Sequence, residues 1–292
     1  MDLFFKYLQY EKRYSPHTLT SYHTDLGQFS EYLLQTYEIT DPAQADHTLI
    51  RSWILSLVQQ HIQPRSINRK IACLRSYYKF LLSQQRITAN PMLRIKAPKV
   101  SKKLPAFVPE EPFNQLLDQF SFELTFEGQR DRVILEFLYG TGMRLSELIG
   151  ILETDIDQYQ RTVRVLGKGN KERIIPINDS LWQSITTYQA CKQQALPDNN
   201  SDRLLVTIKA RPLYPKFIYR VVKKYISLVT TSAHNSPHVL RHSFATHLLN
   251  NGADLNAIKD LLGHASLAAT QVYTHNSIEK LKSIFEKAHP KA

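Results

Sequence analysis

Cysteine is nearly absent from this chain, which has two among 292 residues, Cys73 and Cys191. One falls in each half of the sequence, so we expect two reduced thiols rather than a disulfide or a metal site. The N-terminus is charged and lacks the apolar stretch of a secretory signal, and no apolar run reaches membrane-spanning length. These absences favour a cytoplasmic protein with no membrane partner.

Motifs for bound nucleotides are also missing. Neither G-x-x-x-x-G-K-[ST] nor G-x-G-x-x-G occurs, so nucleotide-driven chemistry is not expected. His238 and His242 have the i, i+4 spacing of a helical zinc pair, but no H-E-x-x-H accompanies them and no third ligand is evident. We therefore expect no cofactor and no metal.

Positive charge, by contrast, is abundant. The formal net charge is +11, and both halves of the chain are basic without long charge blocks. Such a distribution favours a polyanionic partner that lies along one surface, although a generic basic surface would give the same count. Double-stranded DNA is the partner we expect.

The first 90 residues have helical periodicity throughout. Ser15 and Pro16 form a helix start, and further helices are predicted from about Thr48 to Gln60 and from Pro64 onward. The helix from Pro64 has one apolar stripe and one basic face, which is either a phosphate-binding surface or a solvated face. The basic residues are Arg65, Arg69, Lys70, Arg75 and Lys79.

A linker follows this helical region. Between Ala97 and Pro109 there are three prolines and three lysines and little periodicity, which indicates an extended cationic segment. We predict a DNA-binding domain over residues 1–96, a linker over 97–108 and a second domain over 109–292. Lys102 and Lys103 are expected to contact DNA.

The second domain is predicted to be mainly helical with a small β-sheet. One helix begins near Pro109, and another runs from about Gln129 to Tyr139 and ends at Gly140. Thr162–Leu166 and Arg173–Ile177 have the character of two short strands, joined by a tight turn with two glycines. The whole chain is therefore expected to be mainly α.

Two segments of this domain offer cations to an anionic group. Arg144 stands at a helix start after two glycines, where backbone N–H groups and the guanidinium would both face an anion, and Glu147 could hold it in place. Lys168 lies in the glycine-containing turn and could reach an active site, with Lys171 and Arg173 as helpers that contact DNA. A surface Arg–Glu pair and a basic hairpin are the plainer alternatives.

The stretch from His238 to Tyr273 adds the remaining reactive groups. His238 and Arg241 are three apart on a predicted helix and share a face, while His264 follows Gly263 at a helix junction. Tyr273 ends the next predicted helix. A phenol beside cationic groups is suited to attack on a phosphodiester.

Together, in this order, these segments resemble the tyrosine recombinases, and among them the bacterial Xer site-specific recombinases of the XerC and XerD type. The resemblance covers nearly the whole chain and is most specific in the strings G-K-G-N-K-E-R and L-R-H-S-F-A-T-H. The ending A-H-P-K-A leans towards the XerD-like members. The resemblance implies a four-helix SAM-like core-binding domain and a catalytic domain that close on DNA as a C-shaped clamp.

The resemblance also implies a role for each matching residue. Arg144 and Arg241 would clamp the phosphate, Lys168 would be the hairpin lysine, and His238 and His264 the two active-site histidines. Tyr273 would be the nucleophile that forms a 3′-phosphotyrosyl bond. A homo- or hetero-tetramer would exchange strands through a Holliday junction, with an FtsK-type DNA translocase as a candidate partner. A last helix with an apolar stripe that includes Ile278, Leu281 and Phe285 would dock on a neighbouring protomer, or else on its own domain.

Three other functions fit parts of this pattern. A mobile-element integrase would use the same chemistry, but the arm-binding domains or insertions that such enzymes often have are not visible. A type IB topoisomerase would share the nucleophile and act without site preference. A DNA-binding regulator without catalysis is the alternative from a different class.

Overall fold

We analysed a computed structural model, which describes residues 1–99, 107–167, 172–230, 235–263 and 284–291. The chain divides into two compact units, Met1–Lys103 and Leu104–Ala292. The division falls within the segment 97–108 that the sequence predicts to be a linker.

The first unit is helical. Its α-helices are α1 (Asp2–Lys6), which continues as a π-helical turn over Tyr7–Glu11, α2 (Pro16–Tyr37), α3 (His47–Gln59) and α4 (Pro64–Ser83), with 3₁₀ turns at Pro42–Gln44 and Pro91–Arg94. The predicted start of α2 is confirmed, since Ser15 caps it by accepting a hydrogen bond from the N–H of Thr18 at 3.3 Å. Phe29, Trp53 and Tyr78 are among the large side chains that fill the core between these helices.

The second unit combines helices with a small sheet in its described part. The helices are α5 (Glu110–Gln119), α6 (Phe126–Gly140), α7 (Leu145–Gly150), α8 (Asp179–Ala195), α9 (Pro215–Ile226), α10 (Pro237–Asn250) and α11 (Leu255–Leu262), with a 3₁₀ turn at Glu153–Asp155. Residues 284–288 are also helical. The prediction of a mainly α chain with a small β-sheet is confirmed.

The sheet is antiparallel, with strands β1 (Ile156–Asp157), β2 (Thr162–Leu166) and β3 (Glu172–Pro176) in sequential order. β2 has the predicted bounds, and β3 begins and ends one residue earlier than predicted. β1 was not predicted, because two residues are too few to show an alternating pattern.

Helix α6 lies at the centre of the second unit. Twelve of its fifteen residues are buried, and it packs against α8, α9 and α10. It begins three residues before the predicted start, at Phe126, because Thr125 caps it through the N–H of Gly128. Because α6 is buried and ends at Gly140, the loop that leads from Gly140 to Arg144 starts inside the unit.

Across the described residues, no helix combines the length and the apolar character needed to cross a membrane.

Candidate active site

Glu147 is the centre of the polar cluster in the second unit. It stands in the first turn of α7 and reaches back to Arg144, whose backbone N–H donates to Oε2 at 2.7 Å. The Arg144 guanidinium also donates to Oε1 through Nη1, at 2.8 Å. A carboxylate at this position satisfies an N–H at the helix start and fixes the arginine beside it.

Arg173, from β3, completes the coordination of Glu147. Its Nη1 and Nη2 donate to Oε1 and Oε2 at 2.9 and 2.8 Å, which is a bidentate ion pair, and its Nε donates to the carbonyl of Leu261 at 2.9 Å. Arg173 is 4% exposed. The prediction that Arg173 contacts DNA is therefore wrong, because its guanidinium is enclosed and its donors are turned inward.

Arg241 approaches the same place from α10. Its Nη1 donates to the carbonyl of Gly142 at 2.5 Å, and its Nη2 donates to the carbonyl of Leu262 at 2.6 Å. Gly142 has a φ of +60°, and a Cβ there would lie 2.4 Å from the ring of Phe244, so only glycine fits this turn. The backbone of the loop after α6 thus holds Arg241 directly.

Three guanidinium groups converge on the C-terminal end of α11. Arg173 binds the carbonyl of Leu261, Arg241 that of Leu262, and Arg144 Nη2 that of Gly263 at 3.0 Å. The last carbonyls of a helix lack intrahelical partners and carry partial negative charge, which favours cations there. We call Arg144, Arg173, Arg241 and Glu147 the arginine cluster.

The arginine cluster has an excess of positive charge. Burial alone would raise the pKa of Glu147, but the hydrogen bonds and charge of Arg173, together with the bonds from Arg144, outweigh it and hold that pKa at about 2. Burial and then the charge of Arg144 lower the pKa of Arg241 to about 10, so it stays protonated at neutral pH. Three cations and one anion leave two positive charges, which suits a phosphate group.

Of the six residues predicted to be catalytic, two belong to the arginine cluster, and a third, His238, lies on the same helix as Arg241. Arg144 and Arg241 come together as predicted, and His238 lies exposed in the first turn of α10, the helix that carries Arg241. His264 lies outside the described residues, but it directly follows Gly263, to which Arg144 is bonded. Lys168, Lys171 and Tyr273 also lie outside them.

The predicted basic face of α4 needs one correction. Lys70 is 6% exposed, and its Nζ binds Asp25 of α2 at 2.9 Å as well as Gln28. It therefore joins two helices, and the prediction that it contacts DNA is wrong. The remaining members of the face, Arg65, Arg69, Arg75 and Lys79, are exposed. Lys102 and Lys103 lie outside the described residues.

The predicted oligomerisation helix also needs a correction. Phe285 is buried in the core of its own unit, so the prediction that it contacts a neighbouring protomer is wrong for this structure. Ile278 and Leu281 lie outside the described residues. Among the described residues, no group of three or more His, Cys, Asp or Glu side chains could hold a metal ion.

Comparison with known proteins places both units in one family. Residues 107–280 match the model of the phage integrase family, and residues 1–85 match that of the N-terminal SAM-like domain of phage integrases. The chain is 38% identical to a tyrosine recombinase XerC of Chlorobaculum parvum, covering 100% of this chain and 94% of the relative. It is 40% identical to a tyrosine recombinase XerC of Staphylococcus saprophyticus, covering 98% and 95%.

Solved structures share the fold. The XerH site-specific recombinase bound to a palindromic difH substrate has a TM-score of 0.71 at 21% identity, covering 91% of this chain and 78% of that one. The Tn1549 transposon integrase in complex with circular intermediate DNA has a TM-score of 0.69 at 20% identity, covering 96% and 97%.

The chain belongs to the phage integrase family and is a tyrosine recombinase, a DNA strand transferase that acts through a tyrosine intermediate without ATP or a metal. Its full-length similarity to recombinases named XerC assigns it to site-specific recombination. The two relatives described above are named XerC, whereas the A-H-P-K-A ending of this chain leans towards the XerD-like members.

Proposed function

We propose that this protein cleaves and rejoins double-stranded DNA at a specific site, using Arg144 and Arg241 to bind the scissile phosphate and Tyr273 to attack it. One observation carries the proposal: two arginines 97 positions apart bind neighbouring carbonyls at the end of α11, beside a single carboxylate. A guanidinium has five N–H groups, and the bonds of each side chain described above engage two of them. In this proposal, further N–H groups of the two side chains bind the phosphate oxygens.

The chemistry requires one proton to leave and another to arrive. As the Tyr273 oxygen bonds to phosphorus, His238 accepts the phenol proton, because an ordinary tyrosine is mostly protonated at neutral pH. The bond between phosphorus and the 5′ oxygen then breaks, and Lys168 donates a proton to that oxygen. The product is a 3′-phosphotyrosyl bond and a free 5′ hydroxyl, and attack by a 5′ hydroxyl from another strand reverses the steps.

The arginines stabilise the charge that develops on the phosphate. Arg144 is fixed in advance by Glu147 and the carbonyl of Gly263, and Arg241 by the carbonyls of Gly142 and Leu262, so both need little reorganisation during the reaction. His264 hydrogen-bonds the same phosphate, in accordance with its position next to Gly263. Removal of one preorganised donor of this kind costs roughly a hundred-fold or more in rate.

The proposal extends to assembly and biological role. The exposed basic face of α4 and the lysines Lys102, Lys103 and Lys171 contact the duplex, and four protomers, of one or two kinds, exchange strands through a Holliday junction. The similarity to recombinases named XerC supports a cytoplasmic role in resolving chromosome dimers during segregation. An FtsK-type translocase is a candidate activator.

The nucleophile is tested by trapping the covalent adduct. A library of duplexes with randomised arms and a nick near the centre is incubated with the protein, and the protein that carries DNA is isolated under denaturing conditions. We expect an adduct with the wild type, none with Tyr273→Phe, and a normal one with Tyr159→Phe, a control tyrosine that is 88% exposed. An adduct that survives in Tyr273→Phe refutes the assignment, and sequencing the trapped DNA identifies the site.

A further inference from the structure

The last described residues of the chain are bound to their own unit by a set of polar side chains. We call residues 284–291 the terminal segment. Three asparagine amides from different places donate to its backbone carbonyls: Asn251 to Ala288 at 3.2 Å, Asn114 to Pro290 at 2.8 Å and Asn178 to Lys291 at 3.2 Å. Phe285 and Ala288 are buried against the same unit. The terminal segment is therefore held by specific hydrogen bonds as well as by apolar packing.

His289 is the most enclosed polar group of the terminal segment. It is 4% exposed, and its ring lies 4.4 Å from the ring of Phe285 and 5.9 Å from that of Phe244, measured between centroids. The backbone N–H of Lys291 donates to Nδ1 at 3.0 Å, so Nδ1 is an acceptor and the proton must be on Nε2. That proton is donated to the carbonyl of Gly140 at 2.9 Å. Burial, above all, lowers the pKa of His289 to about 4, in agreement with a neutral ring.

Gly140 connects His289 to the arginine cluster. It is the last residue of α6, where carbonyls lack helical partners, and the imidazole supplies the donor that this buried carbonyl needs. Two residues later the carbonyl of Gly142 accepts a hydrogen bond from Arg241, and two residues beyond that Arg144 stands at the N-cap of α7. Phe244 touches this stretch at Gly142 and also packs against His289, so both contacts act on one short loop.

We propose that His289 is a positioning residue for recombination: by donating from Nε2 to Gly140, it fixes the loop 140–144 and through it the geometry of Arg144 and Arg241. The terminal segment also follows the stretch that carries His264 and Tyr273. That stretch begins after Gly263, which is bonded to Arg144, and ends at the terminal segment. Both of its ends are thus attached to the arginine cluster, one directly and one through His289.

Three substitutions separate the donor from the bulk of the ring. In His289→Gln an amide N–H stands near the position of Nε2, in His289→Asn the amide stands near Nδ1, and in His289→Leu no donor remains. We expect His289→Leu and His289→Asn to slow adduct formation by about ten-fold or more, because a misplaced pair of arginines is costly. His289→Gln should stay within about three-fold of the wild type, because it restores the donor. The control is Lys291→Met, which removes the ion pair of the same segment with Asp118 and should change the rate by less than about two-fold.

Hydrogen exchange of the loop gives a readout that does not depend on activity. We expect faster exchange at residues 141–144 in His289→Leu than in Lys291→Met or the wild type. The proposal is overturned if His289→Gln forms the adduct as slowly as His289→Leu, or if the rates follow the loss of Tm rather than the presence of the donor. Unchanged exchange in His289→Leu would overturn it as well. It rests on the proposed function only for the rate: a wild type that forms no adduct refutes that function, while the exchange result still decides whether His289 fixes the loop.

Discussion

Replacing Arg173 should weaken both the fold and the catalysis, although this side chain is buried. It links β3, Glu147 and the end of α11, and in Arg173→Lys a single ammonium cannot make the bidentate pair and also bind the carbonyl of Leu261. Loss of one partner of a buried ion pair costs about 3–5 kcal/mol when it leaves the other charge unpaired. Glu147 keeps Arg144 as a partner, so we expect about the lower end of that range for Arg173→Met and a smaller cost for Arg173→Lys, which keeps the charge.

The lowered pKa of Glu147 gives a second measure of how much the arginine cluster stabilises the fold. A fall from the ordinary value of 4.5 to about 2 corresponds to roughly 3 kcal/mol of stability. Because the pKa is lower in the folded state, this stability is fully present above pH 4.5 and is lost as the pH falls towards 2. The difference in unfolding free energy between wild type and Glu147→Gln should therefore shrink across this acid window.

The assays are thermal and urea unfolding together with single-turnover adduct formation. For Arg173→Lys we expect a Tm lower by several degrees, since 1 kcal/mol shifts Tm by about 2–4 °C in a unit of this size, and a rate lower by about a hundred-fold, because Arg144 loses its fixed carboxylate. The matched control is Arg164→Lys on the neighbouring strand, whose side chain is 54% exposed and pairs with Asp155 at 3.0 Å; it should cost less than about 1 kcal/mol. If Arg173→Lys is as stable and as active as this control, the reasoning is refuted.

Two further predictions concern the lysines. Lys168→Ala should cleave slowly on an ordinary duplex and recover on one with a 5′-sulfur leaving group, because sulfur needs no proton; failure to recover would exclude Lys168 as the acid. Lys70→Met should lower Tm because Asp25 loses its buried cation, whereas Lys79→Ala should leave Tm unchanged and weaken DNA binding with a smaller salt dependence; the reverse pattern would contradict the structural role of Lys70.

Local features were predictable because their causes lie within a few residues. The start of α2 at Ser15 and Pro16, the first turn of α5 at Glu110 and the bounds of β2 all follow from caps, helix-start charges and alternation. The positions of Arg144 and Arg241 beside one another were inferred from the resemblance to a family and not from spacing. The sequence around Arg144 does not indicate that it binds the carbonyl of Gly263, and the sequence around Arg241 does not indicate that it binds that of Gly142.

Two of the wrong predictions, those for Lys70 and Arg173, share one cause, which is that charged residues were assumed to be exposed. Lys70 lies on α4 between Ile67 and Leu74, three and four residues away, and so on the buried stripe. Arg173 and Ile175 are two residues apart on β3 and therefore lie on the same face, which is turned to the core. In each case the periodicity already indicated burial, while the partner that makes burial tolerable, Asp25 or Glu147, is distant in sequence and could not be found there. Phe285 differs, because an apolar helix stripe does not specify which copy of the chain covers it.

The arginine cluster also explains why a protein would bury charge at a place where stability alone would favour apolar side chains. Burying two guanidinium groups and partly burying a third beside one carboxylate is costly, and the lowered pKa of Arg241 reflects that cost. The carbonyls at the end of α11 offset part of it, but dipoles cannot neutralise two full charges. An incoming phosphate can, and it meets donors that are already fixed by Glu147 and by the backbone. Under the proposed function, a doubly charged phosphorane-like transition state would satisfy these fixed cations better than a singly charged diester does, and this difference would lower the barrier.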